Sequence, residues 1–123
     1  VRYEGGAGNA VASLFHGGPA RPGVENMLSQ WVEFDGCPQR PKVGPTLSGQ
    51  AGTGNQGITV TRYEWSPCRN ATAIVLWKFT GSGHVWPGGI QNRLVHILGR
   101  NTDLLDANDE MWRFFRKFEL PQQ

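Results

Sequence analysis

Ile58-Thr59-Val60-Thr61-Arg62-Tyr63-Glu64-Trp65-Ser66-Pro67-Cys68-Arg69-Asn70-Ala71-Thr72-Ala73-Ile74-Val75-Leu76-Trp77-Lys78-Phe79 decides the fold. Its first eight residues are β-branched and aromatic. Ile58, Val60 and Arg62 alternate with Thr59, Thr61 and Tyr63, the period of a strand. Ser66 to Asn70 holds the residues of a turn. Ala71 to Phe79 then reads as a second strand, more continuously apolar and therefore more buried. The spacing predicts that the two pair as an antiparallel hairpin.

Upstream, Val24 to Phe34 carries apolar side chains at Val24, Met27, Leu28, Trp31, Val32 and Phe34. That is close to helical spacing, with Gly36 placed to stop the helix. Residues 36–57 are rich in glycine and proline and poor in apolar side chains, and they read as one long loop. Residues 1–23 are similar apart from Val11 to Phe15. Downstream, residues 80–101 form another glycine-rich loop with a short apolar piece, Leu94 to Leu98. The last helix is capped by Thr102 or Asp103, with Asp103 and Asp106 as negative charge in its first turn. Leu104, Leu105, Met111, Trp112, Phe115 and Phe118 form its apolar stripe. Two strands and two helices make a thin core, so much of the aromatic surface lacks a partner within this chain.

The chain has 123 residues, one domain by length, with 18% charged residues, 17 glycines and a net charge of +2. Five tryptophans and six phenylalanines oppose disorder. Arg113, Arg116 and Lys117 cluster near a helix C-terminus, where cations suit the macrodipole. They read as a solvated helix end, and no nucleic-acid partner is expected. No apolar run reaches the roughly 20 residues of a membrane span, and no signal peptide is visible. Cys37 and Cys68 stand outside any CxxC pair, so no metal is expected. Spacing alone leaves them as a disulfide or as two separate buried thiols.

Gly81-Ser82-Gly83-His84-Val85-Trp86-Pro87-Gly88-Gly89 presents one histidine just past the second strand. Small residues let the backbone turn and bring an imidazole to the surface, where it can act as a general base. The segment is similar to the G-H-T-W-P-G block of secreted polyhydroxybutyrate depolymerase and feruloyl esterase-like α/β-hydrolases, close to the family 1 carbohydrate esterases. Val85 replaces the usual threonine. Trp31 through Asp35-Gly36-Cys37 resembles that family's W-x-x-x-N-G-C segment, and Tyr63 to Cys68 its Y-x-x-C stretch. Asp106 to Phe115 resembles its closing D-A-S-x-x-I-W-x-F-F helix. The blocks cover roughly residues 24–120.

The resemblance implies an α/β fold, the C-terminal portion of an α/β-hydrolase: helix, long loop, two sheet strands, His-bearing loop and C-terminal helix. Residues 1–123 would then be part of a single catalytic domain whose N-terminal part lies elsewhere. It implies a Cys37–Cys68 disulfide and a secreted, extracellular or periplasmic location. It implies a serine esterase acting on polyhydroxyalkanoate or hydroxycinnamoyl-polysaccharide esters, with His84 as catalytic base, Trp86 as a wall of the substrate site, and no cofactor.

The other triad members do not follow. There is no G-x-S-x-G, and Ser48 and Ser82 sit in loops without a strand-to-helix turn. His16-Gly17-Gly18-Pro19-Ala20 mimics the family's H-G-T-x-D-P acid motif but has alanine for the aspartate. Val1 to Gly6 instead resembles the segment that follows that motif, which leaves His16 an ordinary loop histidine. The isolated chain is therefore expected to be inactive. His96 is expected to be a structural histidine and Asp35 a turn residue. The competing readings are a non-catalytic polymer- or carbohydrate-binding module using Trp65 and Trp86, and a pseudoenzyme with a decayed acid motif.

Overall fold

A computed structural model describes residues 3–4, 22–89 and 95–118. In chain order the elements are α1 (Val24–Phe34), β1 (Lys42–Ser48), β2 (Thr59–Trp65), β3 (Ile74–Thr80), α2 (Val95–Leu98) and α3 (Ala107–Phe115). They fall into two compact units, residues 1–41 with 65–74 and residues 42–64 with 75–123. Val11 to Phe15, His16 and Leu94 lie outside the described residues.

The first unit is organised by the end of α1. Asp35 is the C-cap and Gly36 follows at φ +61°, a left-handed conformation that glycine adopts without strain. The Gly36 N–H donates to the Glu33 carbonyl (3.1 Å), and the Cys37 N–H to the Val32 carbonyl (2.9 Å). These two bonds make a Schellman motif, in which the second residue past the cap packs on the last turn. Here that residue is Cys37. It is bonded to Cys68 (S–S 1.98 Å), and Val32, Cys37 and Cys68 form a buried cluster flanked by Trp65 and Ile74. The backbone closes the same junction, because the Arg69 N–H donates to the Asp35 carbonyl at 2.8 Å.

The sheet lies in the order β1-β2-β3. Sequence reading placed β1 within a long loop, since Gly44 and Pro45 interrupt it and few of its side chains are apolar. Pairing with β2 overrides that composition. The strands run antiparallel with Val43 opposite Tyr63 and Thr46 opposite Thr61, so one extra residue bulges out at Gly44-Pro45. Proline is tolerated there because a bulge on an edge strand needs no ladder N–H. The Thr46 and Thr61 hydroxyls meet across the pair at 2.7 Å. Ile58 and Val60 are fully buried.

The sheet is not the expected portion of an α/β-hydrolase. That fold rests on a mainly parallel sheet of many strands whose connections carry crossover helices. The described residues contain three strands in an antiparallel sheet. Their connections, residues 49–58 and 66–73, are too short for a helical crossover.

Removing both thiols (Cys37→Ala with Cys68→Ala) is expected to lower unfolding stability by roughly 3–4 kcal/mol, the loop-closure entropy of a separation of this order. Denaturant unfolding of the oxidised chain, the reduced chain and the variant measures it. An unchanged midpoint would show that the backbone bonds alone hold the junction.

Candidate functional site

The histidine loop belongs to the second unit, where backbone bonds hold it on both sides. The Gly83 N–H donates to the Arg100 carbonyl at 2.8 Å and the His84 N–H to the Leu98 carbonyl at 2.6 Å. The approach is so close that a Cβ on Gly83 would stand 2.2 Å from the Leu98 oxygen. Only glycine fits. The Gly88 N–H then donates to Thr102, and Pro87 accepts from the Ala107 N–H at the start of α3.

A polar network braces the same region. The Thr102 hydroxyl is buried and donates to Asn55 Oδ1 (2.8 Å), while Asn55 Nδ2 donates to the Asp103 carboxylate. Arg100 reaches the carbonyls of Gln56 (2.8 Å) and Gly81 (3.4 Å). Thr102 and Asp103 are thus loop braces and do not cap the last helix. Asp106 is the N-cap, accepting from the N–H groups of Asn108 (2.9 Å) and Asp109 (3.1 Å).

His84 is exposed, and among the described residues no hydrogen bond or ion pair reaches its imidazole. Ser82 turns its hydroxyl to the Arg100 carbonyl (3.4 Å), and Ser48 ends β1. The carboxylate of Asp106 is committed to capping. Among the described residues no serine and no acid is therefore hydrogen-bonded to His84. Trp86 donates its indole N–H to Asn108 Oδ1 at 3.2 Å, which fastens the loop to the first turn of α3 and leaves the ring half exposed. Trp65 packs beside the disulfide and is half-buried. His96 is exposed and not buried in an apolar piece. Asp35 serves the α1 cap, as its position after the helix suggests.

Two other features hold more of the surface chemistry. A cavity of about 330 Å³ lies among Arg62, Trp77, Glu110, Arg113, Phe114 and Lys117. Arg62 pairs with Glu64 (2.5 Å) and stands 5.8 Å over the Trp77 ring, Glu110 pairs with Arg113, and Arg116 and Lys117 leave the lining with an excess of positive charge. The second feature is apolar. Met27, Trp31 and Phe34 of α1 are 49%, 56% and 70% exposed, at the i, i+4, i+7 spacing of one helix face. Met111, Trp112 and Phe115 of α3, with Phe118 just beyond it, are likewise exposed. Sequence reading found both stripes from their periodicity. The thin core expected from two strands and two helices left much of this aromatic surface without a partner in the chain, and the exposures agree with that.

Compared with models of protein families, with curated proteins and with solved structures, the chain finds no match in any of the three. Together with the antiparallel sheet, this overturns the resemblance to polyhydroxybutyrate depolymerases and feruloyl esterases. The assignments that depended on it fall as well: serine esterase, hydrolase, and His84 as one third of a triad. Among the described residues there is no triad, and no group of histidine, cysteine, aspartate and glutamate able to hold a metal.

Two measurements check this region. Gly83→Ala is expected to cost about 1–3 kcal/mol because backbone must move, and Asp106→Ala about 1 kcal/mol for the lost cap. Gly54→Ala, which meets open space, should stay within about 0.5 kcal/mol. In a short-chain p-nitrophenyl ester assay the chain and His84→Ala are expected to match the buffer rate. Turnover that His84→Ala removes would restore the histidine as a base.

Proposed function

We propose that this chain is a non-catalytic structural and interaction unit of a secreted or periplasmic protein. In this reading α1 and α3 offer apolar stripes to be covered by further polypeptide of the same protein. The observation that carries the reading is the α1 stripe. A helix that exposes Met27, Trp31 and Phe34 in register presents to water the side chains that usually face a neighbouring layer. The ring geometry favours helix packing over a flat platform for sugar rings, since Trp31 and Phe34 meet edge to face at 86°. The disulfide suits an oxidising compartment. Among the described residues no helix is long and apolar enough to cross a membrane.

The test uses the apolar dye ANS, which reports accessible apolar surface. Phe34→Asp and Trp112→Asp are expected to leave the chain folded, Trp112→Asp at little cost because its side chain is exposed and Phe34→Asp at about 1–2 kcal/mol for the lost edge contact with Trp31 and a carboxylate at the helix C-terminus. They should also lower dye binding by the isolated chain. If either substitution unfolds the chain, its stripe packs internally and the reading fails. If dye binding is unchanged, the stripes are not accessible surfaces and the reading fails as well.

A further inference from the structure

The cavity of the second unit lies where a helix meets a sheet. α3 and the turn after it contribute Glu110, Arg113, Phe114 and Lys117, the i, i+3, i+4, i+7 spacing of one helix face. β2 contributes Arg62 and Glu64, and β3 contributes Val75 and Trp77. Each pair is two residues apart and so lies on one face of its strand. Such a junction ordinarily holds apolar side chains packed without voids. Here about 330 Å³ stays open, and the apolar part of the described lining is Val75, Trp77 and Phe114, all half-buried. The other lining groups are four cations and two carboxylates. Arginines already engage both carboxylates, Arg62 on Glu64 and Arg113 on Glu110. The excess of two positive charges equals the formal net charge of the whole chain, +2, so all charged side chains elsewhere sum to zero. Cations at a helix end alone would only suit the macrodipole. These share an open volume with half-buried aromatic walls.

We infer that this cavity binds a small aromatic dianion, the chemistry of an aryl phosphate, with its ring against Val75, Trp77 and Phe114 and its charge toward Arg116 and Lys117. The volume stands at the low end of small-ligand sites, roughly 300–1,000 Å³, which suits one ring and one charged group. Two charges on so small a ligand belong on one group, and a phosphate monoester carries about −1.5 to −2 near neutral pH. Guanidinium and ammonium groups both bind phosphate, arginine through paired N–H bonds. Arg62, over the Trp77 ring at 5.8 Å, brings a further cation beside the apolar wall. An inorganic anion gains nothing from that wall, whereas a ring does. A nucleic-acid backbone is the weaker fit, because these cations surround one cavity and do not form a stripe. The inference does not depend on what covers the apolar stripe of α3, since Met111, Trp112 and Phe115 are not among the lining residues.

Calorimetric titration of the 123-residue chain with phenyl phosphate at low salt tests it. Inorganic phosphate lacks the ring and benzyl alcohol lacks the charge. Phenyl phosphate is expected to bind at one site, about tenfold or more tighter than either. Arg116→Gln with Lys117→Gln should weaken it roughly tenfold, the effect of two partly exposed charge contacts. Arg40→Gln, which removes an exposed cation outside the lining, should leave it within about twofold. In the unaltered chain the magnetic resonance signal of the Trp77 indole N–H should shift as phenyl phosphate is added. Absence of binding overturns the inference, and so does equal binding of inorganic phosphate or benzyl alcohol. A double variant that binds normally, or an Arg40→Gln chain weakened as much as the double variant, also overturns it and leaves only the general charge of the surface. A Trp77 signal that does not move places the ligand elsewhere with the same consequence. That measurement needs no variant, so the test survives if the double variant fails to fold.

Discussion

The bond between Cys37 and Cys68 is the constraint on which the first unit depends. Its described core is three residues, Val32 and the two cysteines, with Trp65 and Ile74 alongside. So little buried apolar area cannot by itself offset the entropy of ordering a helix and a turn. The crosslink reduces the freedom of the unfolded chain instead. It works because the helix ends in a geometry that delivers the thiol. Gly36 turns the chain in the left-handed region, and Cys37 arrives over Val32 at the next residue. The cap, the glycine and the disulfide act as one device.

The second unit is held by different means. Its loops are fixed by backbone bonds and by the Asn55, Thr102 and Asp103 network more than by a large core. In that setting the histidine loop is a packing element. Gly83 is there because the Leu98 carbonyl leaves no room for a side chain, and Trp86 is tied to Asn108. A sequence of glycines around a histidine and a tryptophan invited a catalytic reading. The same residues are accounted for by the close crossing of two loops and by the start of a helix.

The exposed aromatic stripes of α1 and α3 share a physical meaning. Each is a surface whose composition belongs to an interior and whose surroundings, among the described residues, do not supply one. Helix stripes can be covered by any apolar layer of suitable shape.

The sequence determined the local elements where periodicity was strong. The Val24–Phe34 helix, the β2 and β3 strands and the turn after the helix follow from apolar spacing, β-branching and one glycine. It also gave the α1 and α3 stripes, residue by residue. Only tertiary structure decided the rest. β1 exists because β2 offers it a ladder, although Gly44 and Pro45 argue against a strand locally. The cap of the last helix fell to Asp106 because Thr102 and Asp103 were drawn to Asn55, a residue far away in the chain. The short motifs that suggested a hydrolase could not fix a fold, because a few residues around a loop do not specify how strands align. That is decided by which backbones meet, and here they meet antiparallel.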